Sequence, residues 1–113
     1  MSDARHVPRE FERELIHTET LVVEMREGGG RALSGVSRNM SLNGIFVETK
    51  DVPEVGSEVQ LFIGSMSSSS ALRVAAHVVH ATPGTGFGAH FLDDTEESRE
   101  YVSSFLNRFR KRL

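Results

Sequence analysis

The chain contains no cysteine and no tryptophan, and only one tyrosine. Without cysteine there are no disulfides, no thiolate–zinc sites and no thiol nucleophile, which fits a reducing compartment. Long apolar runs are missing as well. No stretch approaches the roughly 18 residues that span a bilayer. The N-terminal MSDARHVPRE lacks the apolar segment of a secretory signal, so the expected location is cytoplasmic. Positive charge is not in excess either. Thirteen Lys and Arg stand against sixteen Asp and Glu, a formal net charge of −3. That excludes a global basic field for duplex nucleic acid or an anionic membrane. An anion site would have to be built from locally clustered arginines. The GxSxG, Walker A and dinucleotide-binding signatures are absent. Catalysis, a metal and a cofactor are therefore not expected.

What is present, over 113 residues, suits one domain with one core. Residues 1–14 form a charged arm in which Arg5, Arg9 and Arg13 alternate with Glu10, Glu12 and Glu14. The barrel-like remainder, 15–113, reads as short strands separated by glycine turns. Leu21, Val23 and Met25 make an apolar strand face opposite a mixed one of Val22, Glu24 and Arg26. Gly28-Gly29-Gly30 signals a turn, and Arg31 to Ser37 a weaker strand. Asn43-Gly44 is a strong hairpin signal, since both residues tolerate the left-handed conformation of a type I′ turn. Strands are expected at Ile45–Thr49, around Val59-Leu61-Ile63, along Leu72–Val79 and at Phe87-Ala89-Phe91. Gly64 to Ser70 reads as a hairpin loop.

The periodicity then changes. Val102, Phe105, Leu106, Phe109 and Leu113 share one helical face, with Asp94 or Thr95 as the cap of a helix over about 95–113. The basic run Arg108, Arg110, Lys111 and Arg112 suits its negative end. Six or so antiparallel strands followed by one amphipathic helix give a mainly β fold, a small barrel closed by a helix. His77 and His80 are three apart, which on a regular strand places them on opposite faces and disfavours chelation.

Two polar constellations carry the chemistry. Arg9 and Arg13, at RxxxR spacing, offer two guanidinium forks that match phosphate geometry and stack on flat rings. Asn39, Ser41 and Gly44, at NxSxxG spacing, offer an amide, a hydroxyl and a residue without Cβ. On an extended segment Asn39 and Ser41 face the same way and can address one base edge. Each half has a plain reading too. RxxxR recurs in any arginine-rich arm, as at Arg5 and Arg9. Asn39 and Ser41 are equally able to partner the local backbone of a turn.

In order and spacing the two halves together resemble the PilZ domain family. The stretch from Asn39 to Thr49 is similar to that family's most typical segment. Gly86-Phe87-Gly88-Ala89-His90-Phe91 is similar to its late G-x-G-x-x-F strand. The resemblance implies a six-stranded split β-barrel with a C-terminal helix, acting as a bacterial cyclic di-GMP receptor without catalysis. It implies that Arg9 and Arg13 grip phosphates and guanine. Asn39 and Ser41 would read a guanine edge, and Gly44 would permit close approach. Arg5 and Arg38 are secondary candidates on charge and proximity. The implied partners are cyclic di-GMP, singly or as an intercalated dimer, and a protein that receives the signal. The receptor would act as a monomer or homodimer. The alternative is a PilZ-fold interaction module that acts without nucleotide.

Overall fold

The computed structural model describes residues 14–64, 71–93 and 95–110, with side chains from residue 18 to residue 107 within those spans. Six strands appear in chain order: β1 (Glu14–Arg26), β2 (Gly29–Met40), β3 (Gly44–Glu48), β4 (Glu58–Ile63), β5 (Leu72–Thr82) and β6 (Gly86–Phe91). One helix, α1 (Glu96–Arg110), follows. All strand pairs are antiparallel, and the sheet closes in the order β1-β2-β3-β6-β5-β4, with β4 returning to β1. Among the described residues, closure leaves no unpaired sheet edge.

Alternation explains the core. Met40, Ile45, Val47, Val59, Leu61, Ile63, Val74, Ala76, Val78, Phe87 and Ala89 all point inward and are buried. The helix contributes Val102, Phe105 and Leu106 to the same cluster. A 15-residue helix is marginal on its own in water. Burying three large apolar side chains, each contributing about 1.5–3 kcal/mol, is what holds it. Thr95 caps it: its hydroxyl accepts the Ser98 amide at 3.2 Å, and Asp93 Oδ1 accepts the Thr95 amide at 3.1 Å. The Thr95 amide and then its hydroxyl hold the Asp93 carboxyl below the usual aspartate range.

Several sequence expectations change. The buried face of β1 is the mixed one, with Val22 and Glu24 inside, while Leu21 and Val23 are half-buried and Met25 is exposed. The reason is that Glu24 finds partners. Its carboxylate takes Arg31 at 3.1 Å, Arg26 at 3.2 Å and the Glu54 amide at 2.9 Å. Arg31 also donates to the Val52 carbonyl at 3.1 Å, so this end of the barrel clasps the β3–β4 connection. A second inward polar pair, the hydroxyls of Thr20 and Ser37, is joined at 2.5 Å.

The turn after β2 is not of type I′. Among the described residues no non-glycine has positive φ, and Gly44 is not among the positive-φ glycines. Ser41-Leu42-Asn43 forms the connection and Gly44 opens β3. The opposite-face expectation for His77 and His80 also fails. The β5–β6 register shifts between Val78 and His80. Val79 is the extra residue, so His77, Val79 and His80 are all exposed on the outer face while Val78 stays inside. The expected arm, apart from Glu14, and most of the Gly64–Ser70 loop lie outside the described residues.

Candidate functional site

A cleft of about 820 Å³ lies on the outer face of β2, β3, β6 and β5 and reaches the start of α1. Asn39, Ser41 and Gly44 all border it. The three NxSxxG side positions are thus brought together on one surface. Arg38 does not border it. Its guanidinium is paired with Glu48 at 3.0 Å. Arg5, Arg9 and Arg13 lie outside the described residues.

A β-bulge sets this part of the site. The β2–β3 register shifts between Ser37 and Asn39. Ser37 and Met40 point into the core, and both residues between them, Arg38 and Asn39, face out. Without the extra residue, Asn39 would fall on the core side. The neighbouring pair shows the same effect, with a shift between Leu15 and Thr18 on β1.

Ser41 is buried, at 6% exposure, and its hydroxyl accepts the amides of Asn43 at 3.2 Å and Gly44 at 3.3 Å. The Ser41 amide in turn donates to the Gly44 carbonyl at 2.9 Å. The plain turn-partner reading of this serine is therefore realised. It has a chemical consequence. A hydroxyl has two acceptor positions and one proton. The amides use the acceptors, so toward a ligand in the cleft Ser41 can only donate. Its natural counterpart is a phosphate oxygen or a purine O6 or N7.

Gly44 has a structural reason of its own. A Cβ there would sit 2.5 Å from the Ala89 carbonyl oxygen and 3.3 Å from the His90 ring. The glycine permits close approach of β6, with no need for a left-handed backbone.

The motif spacing carried no signal for four other residues bordering the cleft: Phe46, His80, His90 and Arg99. Arg99 closes the first turn of α1, and its guanidinium donates to Asn43 Oδ1 at 3.3 Å. It is a cation held against the NxSxxG turn by a residue 56 positions away in sequence. Only the closure of the helix onto the barrel reveals it. Phe46, His80 and His90 stand on three different strands, and only the register aligns them. The Gly86-x-Gly88 spacing was the one available hint, because it marks places where neighbouring side chains lie across β6. Among the described residues no group of three or more His, Asp or Glu could hold a metal ion.

The fold is shared with several solved proteins. The PilZ domain of CeSA from a cellulose-synthesizing bacterium superposes with a TM-score of 0.66 at 16% identity, covering 88% of this chain and 98% of that one. The PilZ domain of YcgR from Escherichia coli, solved with c-di-GMP, gives 0.63 at 9% identity over 85% and 91%. The motility inhibitor MotI/DgrA of Bacillus subtilis gives 0.65 at 15% identity, covering 95% of this chain and 53% of that one. No curated protein sequence matches. The family model for the PilZ domain matches residues 8–108. With that match over most of its length, and with the closed six-stranded barrel and C-terminal helix of its structural neighbours, the chain belongs to the PilZ domain family.

Proposed function

We propose that this protein is a cyclic di-GMP receptor without catalytic activity, which passes the signal to a partner protein through a ligand-induced change of shape. One observation supports this above the others. In the β1–β2 ladder Leu15 pairs with Asn39, and Glu14 pairs with Met40. The start of β1 therefore lies beside the NxSxxG turn. Arg13 directly precedes Glu14, and Arg9 is five residues from it. An extended chain covers about 3.3–3.6 Å per residue, so Arg9 is tethered within roughly 18 Å of that point. Two guanidinium forks, the Asn39 amide and the Ser41 donor can thus converge on one dianionic, guanine-bearing ligand. The PilZ domain of YcgR, solved with c-di-GMP, supports this reading.

Closure of Arg9 and Arg13 on the ligand would turn binding into a conformational signal. The surface formed by arm, cleft and ligand together is what a partner would read.

Isothermal titration of the full chain with cyclic di-GMP tests the reading. Binding is expected, with stoichiometry separating a single ligand from an intercalated dimer. Hydrogen bonds to charged groups contribute about 1.5–3 kcal/mol each. Arg9→Ala and Arg13→Ala should therefore each weaken binding at least about tenfold. Arg73→Ala should leave it unchanged, because Arg73 lies over the Phe62 ring, away from the cleft. No binding by the folded wild type at tens of micromolar would overturn the receptor reading in favour of a nucleotide-independent interaction module.

A further inference from the structure

Four outward positions form one continuous row across the barrel. Asn39 pairs with Phe46, Phe46 pairs with Gly88, and Gly88 pairs with His80. The row runs from β2 through β3 and β6 to β5. Its third member, Gly88, has no side chain, and the His80 ring lies over it, while the Phe46 ring reaches over Gly86 on the same strand. A Cβ at Gly88 would collide with the His80 imidazole, whose nearest atom is Nε2. A Cβ at Gly86 would meet the Val47 carbonyl oxygen first and then the tip of the Phe46 ring at 2.8 Å. The two rings are nearly parallel, 24° between planes and 6.1 Å between centroids. Neighbouring strands are about 4.8 Å apart, so without Gly88 rings two strands apart would be kept separate by an intervening side chain. The β5 bulge is the second requirement, since it turns His80 outward.

The result is a pair of near-parallel rings that border the cleft, in a row whose far end is the Asn39 amide. His80 is exposed and Phe46 half-buried. An exposed ring beside the cleft, in one row with an edge-reading amide, suits a planar heterocycle that stacks and hydrogen-bonds through its edge together. Resting on the cyclic di-GMP reading, we propose that Phe46 and His80, seated over Gly86 and Gly88, form a base-stacking platform for one guanine of the ligand. His80 is a ligand-contacting residue and Gly88 a positioning residue that gives the imidazole its seat.

Titration of the full-length variants with cyclic di-GMP decides this. His80→Ala should weaken binding about tenfold, in line with the loss of one base–ring stack. His80→Phe, which keeps a flat ring, should stay within about twofold of wild type. Gly88→Ala should weaken binding by expelling the ring. The three atoms nearest that Cβ all belong to the movable His80 side chain, so the fold should persist, checked by an unchanged melting transition. In the His80→Ala background, Gly88→Ala should add no further loss, because the ring it displaces is already gone. Unchanged affinity in His80→Ala overturns the platform while leaving the receptor reading intact. His80→Phe as weak as His80→Ala also overturns it, since the contact would then be polar. Failure of the wild type to bind overturns both.

Discussion

The two ends of the β1–β2 ribbon treat polar groups in opposite ways. At the hairpin end, Glu24 is buried to 1% exposure and its oxygens are occupied by Arg26, Arg31 and the Glu54 amide. At the other end, where β1 begins beside Asn39, the polar groups border an open cleft. The first end uses its charges on one another to tie down a loop. The second presents an amide, a donor hydroxyl and an arginine outward. One fold thus separates a stabilising polar cluster from a recognising one. Their distance along β1 and β2 allows the two to be changed independently.

The largest expected effect breaks the stabilising end. Glu24→Ala removes the acceptor of the Glu54 amide and the carboxylate partner of Arg26 and Arg31. Truncating one partner of a buried ion pair costs about 3–5 kcal/mol. The arginine side chains are 39–49% exposed and can rehydrate, which puts the expected loss nearer about 3 kcal/mol. Urea unfolding measures it, and ligand affinity should stay within about twofold. A tenfold loss of affinity would show that the two ends are coupled.

The same carboxylate has a pH signature. Burial opposes ionisation of Glu24, but the Glu54 amide, the Arg31 hydrogen bond and the charges of Arg26 and Arg31 outweigh it, and the pKa is lowered from 4.5. With the folded value depressed, the unfolded chain binds more protons in acid. The stabilisation is complete above the unfolded value and is lost as pH falls through the folded one. Glu24→Gln should flatten the acid limb of the stability–pH curve relative to wild type.

A smaller effect is expected where recognition and packing meet. Gly44→Ala forces a Cβ against the Ala89 carbonyl, which is backbone and cannot swing away. Overpacking of this kind costs about 1–3 kcal/mol. Because Gly44 also borders the cleft, affinity should fall along with stability. A loss of stability with affinity unchanged would assign the motif glycine to the barrel alone. The smallest effect is expected for Arg38→Ala. Its pair with Glu48 is about half-exposed on both sides, and exposed pairs contribute about 0–1 kcal/mol. Titration should show affinity near wild type. A tenfold loss would restore Arg38 to the ligand-binding set.

The sequence by itself determined the class of fold. Alternation of Val, Ile and Leu with polar residues specified strands, the change to a 3.6-residue period specified the terminal helix, and the NxSxxG spacing marked the turn. These are local properties, and each is written in a few adjacent residues. Tertiary structure decided what depends on register. Two bulges, at Arg38 and Val79, determine which residues of β2 and β5 face outward. A one-residue shift reverses every side chain beyond it, which no local pattern around His77 and His80 could announce. The face of β1 that turns inward followed from partners for Glu24 supplied by β2 and by the loop after β3. Gly44 and Gly88 read as turn or bend signals in sequence, yet each is required by a neighbouring strand's carbonyl or ring. Arg99 reaches the turn only because the helix docks on the closed barrel. Local periodicity chose the elements, and strand register, a property of pairs of strands, assembled the site.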